Sequence, residues 1–413
     1  MSRFVLLLFV AMLGSPSATA AQGHAGGGGL PVSETFTFPA GERRIAIPFT
    51  NSGGHVVIPM VVNGGPTLHM VLDTGMPSPG VLLYEGTLAD SIAFEWSPMR
   101  IKVGGAGSER AAEARLATGV ELEVGGLRIG GSVAIVMPPT PEMSQLHDGI
   151  VGATFFQNLV VTIDQDRHEL VLEQREGFTP LPGATEVPLD LSGRIAYVPV
   201  GLVGPEGKVT PLRLVLDIGA MHAVSLNRHA NPAIVVPLRS LATRIGRGMG
   251  GAMTGRVGRV AGIELGGHRL NSVVATFPDS AFENPRGLDS REGNLGIGAL
   301  SRFTVTFDYA KQRMFVRPNA RFQEPFEWDM SGVIYDPGTD GRPVIASVVP
   351  GSPAALAGIE AGDVLIAVDG QSADPRALMR DRDRFREAGR ELVLRVRRAG
   401  VERDIKLKLK RMV

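Results

Sequence analysis

The chain has 413 residues, 44% hydrophobic and 20% charged, the composition of a globular protein with room for roughly two to four domains. Its 42 Lys and Arg balance 42 Asp and Glu, so the chain as a whole offers no electrostatic footprint for nucleic acid. The absence of cysteine excludes disulfides, thiolate chemistry and a lipidated cysteine, and 53 Gly with 29 Pro favour turns and strands over long helices.

Met1-Ser2-Arg3 precedes an apolar run from Phe4 to Leu13, and Ala18-Thr19-Ala20 supplies small residues for cleavage. Residues 1–21 therefore read as a signal peptide. Its apolar part is too short to span a bilayer, so no membrane span is expected after its removal. The mature protein is expected in the periplasm or secreted, where a lack of cysteine is harmless. Residues 22–39, which include Gly26–Gly29, read as a flexible leader.

From there the pattern is strand-like. His55–Val62 and Leu68–Leu72 flank the hairpin signal Asn63-Gly64-Gly65, and Val120–Val124 and Leu127–Ile129 flank Gly125-Gly126. Leu159–Ile163 and Glu169–Leu172 complete the unit. The same series then returns, from Ile195–Leu202 through Gly266-Gly267 to Phe303–Phe307 and Arg313–Val316. His69-Met70-Val71-Leu72-Asp73-Thr74-Gly75 is echoed by Arg213-Leu214-Val215-Leu216-Asp217-Ile218-Gly219, displaced by 144 residues. Gly152 recurs as Gly296, and Asp164 as Asp308, at the same displacement. Residues 40–187 and 188–321 thus read as two copies of one small all-β unit, a closed or nearly closed barrel, with a soft joint in the turn-rich Gly177–Gly183.

An aspartate at the end of an apolar strand, followed by Gly, presents its carboxylate at a tight turn. Two such carboxylates in one site disfavour double ionisation and share a proton. One can then activate water while the other protonates a carbonyl oxygen, giving peptide hydrolysis without a covalent intermediate. Thr74 has a hydroxyl able to bond across to the other copy, whereas Ile218 has none.

Asp73-Thr74-Gly75, Asp148-Gly149-Ile150-Val151-Gly152 and Val161-Thr162-Ile163-Asp164, with their counterparts Asp217-Ile218-Gly219, Gly296 and Phe307-Asp308, resemble the retropepsin-like aspartic peptidases. The resemblance covers roughly residues 40 to 320. It implies two tandem half-barrels forming a pseudo-dimer, with Asp73 and Asp217 as catalytic dyad. Thr74, Gly75, Ile218 and Gly219 would form the active-site turns. Gly152 and Gly296 would support them in an apolar-apolar-Gly element, although copy two places Asn294 there. Flaps over an extended peptide or unfolded protein would fall near Lys102–Gly107 and Ile245–Gly255. Asp164 and Asp308 would be structural.

Residues 328–413 form a third unit. Ser352 reads as a helix N-cap with Pro353 at the first helical position, Gly358 as a stop and Asp369-Gly370 as a turn. A second helix is expected over Pro375–Glu387, and Ile405–Lys410 alternates as a half-buried strand. The series Pro-Gly-Ser-Pro-Ala-Ala, Gly-Ile, Ala-Gly-Asp-Val-Leu and Val-Asp-Gly resembles bacterial periplasmic PDZ domains. That resemblance implies a groove for protein C-termini, with Met330, Ser331, Gly332 and Val333 as its carboxylate loop and residues Asp381 to Phe385 along its helix.

His147 and His222 lie near aspartates, but the 8 His show no metal-ligand spacing, and neither a metal nor another cofactor is expected. Glycine-rich runs lack the Lys-Ser/Thr of a phosphate loop, and no Gly-x-Ser-x-Gly is present. The reading is an exported aspartic-type endopeptidase with PDZ-mediated peptide recruitment. The alternative is a catalytically degenerate peptide-binding scaffold.

Overall fold

The computed structural model describes residues 32–104, 112–138, 147–191, 195–279, 291–338 and 340–413. The expected signal peptide lies outside the described residues. Among the described residues no helix is long and apolar enough to cross a membrane. The chain is largely β-sheet, with a smaller sheet-and-helix unit at its C-terminal end.

In the first repeat His55–Val62 pairs with Thr67–Leu72, which runs parallel to Gly149–Val151. That strand pairs with Val81–Tyr84, then Leu127–Met137, then Ala112–Val124, which returns to His55–Val62 and closes the ring. The second repeat closes the same circuit through Tyr197–Val203, Val209–Asp217, Gly293–Gly296, Val224–Leu226, His268–Pro278 and Gly251–Leu265. The alternation legible in the sequence does this work. In Thr67–Leu72 the side chains of Leu68, Met70 and Leu72 are fully buried while Thr67 and His69 face out.

A six-stranded sheet joins the repeats, in the order Thr185–Pro188, Arg313–Pro318, Phe303–Asp308, Val160–Asp164, Glu169–Glu173, Arg44–Pro48. At its centre Thr162 lies opposite Thr306, its own counterpart 144 residues on, with their hydroxyls 2.8 Å apart. Residues that face their own repeats define a local two-fold relation. Asp164 and Asp308 serve this sheet: Asp164 accepts from the Asp166 and Arg167 N–H groups, and Asp308 is paired with Arg313.

Two expected boundaries shift. Residues 22–39 are not a leader throughout, because Thr35–Thr37 adds a strand against Arg128–Gly130 and Glu34 accepts from the Ser132 and Thr154 hydroxyls. The second repeat also begins before residue 188. Thr185–Pro188 pairs with Arg313–Pro318 as Arg44–Pro48 pairs with Glu169–Glu173.

The C-terminal unit orders its strands Val333–Pro337, Pro343–Val348, Val364–Val368, Glu391–Arg398, Val401–Lys408 around Met330, Ile345, Leu365, Leu394 and Leu407. Ser352 caps the helix Pro353–Leu356 by accepting from the Ala355 N–H, with Pro353 in the first turn. The second helix is shorter than expected: Pro375–Arg380 is α-helical, and Asp381 breaks it before a 3₁₀ turn at Arg382–Arg386. Buried Asp363 is held by the Arg398 guanidinium at 2.6 and 2.7 Å, which keeps its carboxyl below the usual range.

Candidate active site

The two aspartate turns sit at the ends of equivalent buried strands, each beside a parallel strand with a glycine at or just past its end. These are Gly152, just after Val151, and Gly296, the last residue of its strand. The Asp73 N–H donates to Val151 O at 2.9 Å, and Asp217 stands opposite Gly296 in the second barrel. A methyl group on Gly152 would lie 2.2 Å from Asp73 O, and one on Gly296 would lie 2.1 Å from His222 O. Both sites therefore require the missing side chain for the supporting strand to press against the turn.

The turns face one another. The Gly75 N–H donates to Asp73 Oδ1 at 2.6 Å. A methyl on Gly75 would stand 3.0 Å from Asp73 Oδ1 and 3.3 Å from Asp217 Oδ1, so both carboxylates flank this one glycine. On the opposite side, a methyl on Gly219 would lie 2.4 Å from Asp73 Cγ. Burial first, and the neighbouring Asp217 charge second, push the Asp73 carboxyl up to about 7. Burial also raises Asp217, while the Asn294 amide and the N–H groups of Ala220 and Gly219 pull it back.

Thr74 ties the repeats together beneath the carboxylates. Its hydroxyl donates to Leu216 O at 2.8 Å and accepts from the Ile218 N–H at 3.0 Å. Ile218, at the equivalent position, is buried in the main core and returns no such bond. The cross-link is therefore made from one side. Thr74→Val keeps the shape but leaves the Ile218 N–H buried without an acceptor. In urea unfolding it should cost about 1–3 kcal/mol, and a loss near zero would mean that the tie contributes nothing.

Asn294, a departure from the apolar pattern, has a partner. Its Nδ2 donates to Asp217 Oδ2 at 3.0 Å. A further residue, His55, escaped the sequence reading. Burial lowers its pKa to about 4, so the ring is neutral and Nε2–H donates to Gly219 O at 3.0 Å, steadying the turn from behind. His222 is likewise kept neutral by burial, with a pKa of about 4. No cluster able to hold a metal occurs among the described residues.

A hairpin of Ser240–Gly248 and Gly251–Leu265 turns at Met249-Gly250, and Met249 packs against a first-repeat cluster containing Met76, Tyr84 and Ile150. This arm reaches from one repeat to the other and contains the expected flap Ile245–Gly255. Its counterpart is formed by Glu95–Val103 and Ala112–Val124, and the expected flap at Lys102–Gly107 lies partly outside the described residues.

An aspartyl protease family model matches residues 58–155, and a PDZ domain model matches residues 344–398. The chain carries an aspartyl protease domain and a separate PDZ domain. The matched protease segment includes Asp73, Thr74, Gly75 and Gly152 and ends before Asp217. Among solved structures, the crystal structure of the aspartic proteinase from Irpex lacteus is similar at 13% identity and a TM-score of 0.45, covering 68% of this chain and 99% of that one. No curated protein matches the chain.

The PDZ domain touches the two β repeats at its edge strand and at its second helix. Arg244, on the hairpin arm, donates to Tyr335 O at 2.5 Å and to Asp336 Oδ1 at 2.6 Å, engaging the edge strand Val333–Pro337. On the helix side Met379 packs over Gly53, and Arg382 donates to Gly53 O at 2.7 Å and reaches Met221 Sδ at 3.1 Å. In the expected carboxylate loop the backbone donors are hydrogen-bonded within the chain. The N–H groups of Ser331 and Gly332 donate to Asp329 Oδ1 at 2.8 and 3.1 Å, and the Val333 N–H donates to Ser331 Oγ at 3.1 Å. Met330 is buried in the PDZ core, and its N–H donates to Phe385 O.

Proposed function

We propose that the protein is an aspartic-type endopeptidase whose two barrels act as retropepsin-like halves of a pseudo-dimer. Asp73 and Asp217 form the dyad, and Thr74, Gly75, Ile218 and Gly219 shape the turns that hold it. Gly152 and Gly296 brace those turns. The observation that carries this reading is that a methyl placed on Gly75 would meet Asp73 Oδ1 at 3.0 Å and Asp217 Oδ1 at 3.3 Å, so both carboxylates border one glycine in a setting that favours a shared proton.

An extended peptide would lie across both turns, beneath the Met249 arm. The ionised carboxylate takes a proton from a water as it attacks the scissile carbonyl carbon, and the protonated one donates to the carbonyl oxygen. The tetrahedral intermediate collapses as the carboxyl that took the water's proton passes it to the leaving nitrogen and the C–N bond breaks. A hydroxyl of the intermediate returns its proton to the other carboxylate. A tie made by Thr74 alone, with none returned by Ile218, loosens this site without removing either acid. The proposal includes export to the periplasm or the exterior, on the strength of residues 1–21, and a peptide-binding role for the PDZ domain.

The test is incubation of purified protein with a peptide library from about pH 3 to pH 8, alongside Asp217→Asn. Cleavage by the wild type that the variant lacks supports the dyad. Peptide binding without cleavage at any pH would instead establish the scaffold reading, which the missing hydroxyl at Ile218 favours.

A further inference from the structure

The repeat makes the two aspartates equivalent in sequence, yet their surroundings differ at one register position. Val215 lies opposite Asn294 in the second barrel, as Val71 lies opposite Ile150 in the first. Ile150 packs in an apolar cluster with Met76, Leu82 and Tyr84. Asn294 instead directs its amide at Asp217 Oδ2, 3.0 Å away. Met76 and Ala220 follow the two active-site glycines, so neither turn supplies a hydroxyl of its own at that place.

Resting on the dyad reading above, we propose that Asn294 is a positioning residue that divides the labour within the pair. It holds Asp217 as the ionised base and leaves Asp73 as the acid that keeps the proton. An amide N–H can only donate, so this bond favours the carboxylate form of Asp217. Arg291 also favours that form from a distance, and the N–H groups of Gly219 and Ala220 act in the same sense. Asp73 receives the N–H groups of Gly75 and Gly219, and it faces the Asp217 charge and the buried phenols Tyr84 and Tyr309. Those phenols stay neutral, so the charged neighbour of Asp73 is a carboxylate, while that of Asp217 includes a cation. Both differences point the proton toward Asp73.

The experiment is the pH profile of kcat/KM for wild type, Asn294→Leu and Ile150→Asn. Removing the donor should move the acid limb up by about one pH unit and cost about tenfold in rate on that limb. The rate above the limb should change far less. A uniform loss at every pH, with the limb unmoved, would make Asn294 merely structural and overturn the proposal. Ile150→Asn, where it folds, should narrow the gap between the two limbs by giving Asp73 a matching donor.

A second readout separates this inference from the function on which it rests. Carboxyl carbon NMR on 13C-aspartate protein follows both titrations without substrate. Asp217 should titrate below Asp73 in the wild type and rise in Asn294→Leu. The reverse order, or no response to the variant, sinks the assignment even if the enzyme cleaves peptides. Absence of any Asp73-dependent cleavage, with the NMR order as expected, would count against the protease reading alone.

Discussion

Asp73→Asn should lower peptide cleavage by about 10²–10⁴-fold and at the same time make the folded protein more stable at neutral pH. On the proposed mechanism, the first effect follows from losing the group that donates to the carbonyl oxygen. The second follows from the sign of its pKa shift. Burial and the neighbouring carboxylate raise the folded-state value to about 7 from an ordinary value of 3.8. A raised carboxyl binds its proton more tightly in the folded chain, so stability falls as pH rises from the unfolded value through the folded one. Asparagine has no such penalty. The gain over wild type should therefore vanish near pH 4 and reach on the order of 1–3 kcal/mol above pH 7, read as urea midpoints at both pH values. Loss of activity with loss of stability at neutral pH would mean that Asp73 is not buried beside a second acid.

Gly219→Ala should be nearly as damaging to cleavage while leaving most of the protein folded. Its new methyl would stand 2.4 Å from Asp73 Cγ and 2.5 Å from Oδ1, so the carboxylate or the turn must move. A displacement of about 1 Å at the reacting groups can cost about 10²-fold in rate. Gly75→Ala is the natural comparison, since its methyl meets carboxylate oxygens at 3.0 and 3.3 Å and asks for a smaller shift. The expected order in kcat/KM is wild type, then Gly75→Ala, then Gly219→Ala, with circular dichroism unchanged. Equal activity of Gly219→Ala and wild type would show that the Asp73 side chain does not lie over Gly219 during catalysis.

Much of this arrangement was legible before any coordinates. Leu68, Met70 and Leu72 alternate cleanly, and glycines mark the turns, because a half-buried strand writes its period directly into side-chain type. The displacement of 144 residues carried the two aspartates and bracing glycines with it. What could not be read were contacts between distant residues of unremarkable type. Asn294 looked like an ill-placed amide because its acceptor lies 77 residues away, brought close only by the parallel pairing of two strands. His55 begins an ordinary strand, and its link to Gly219 spans 164 residues. The Thr35–Thr37 strand was hidden behind a glycine-rich segment, since a short edge strand has almost no pattern of its own. The occupied PDZ loop is a different case. Asp329-Met330-Ser331-Gly332 has the composition of a local aspartate turn, and the signal lay in the residue just before those singled out.

That turn alters what entry into the PDZ groove means. In the peptide-binding role proposed above, a visiting chain terminus would find the loop's N–H donors already satisfied by Asp329 and Ser331, and the edge strand gripped by Arg244. The resident carboxylate is covalently attached two or three residues away, so it competes at an effective concentration of order millimolar or above. Admission would then be a threshold rather than an open invitation. For that proposed role, carboxylate charge alone would be insufficient currency, and a guest would have to add substantial side-chain contact to evict the incumbent.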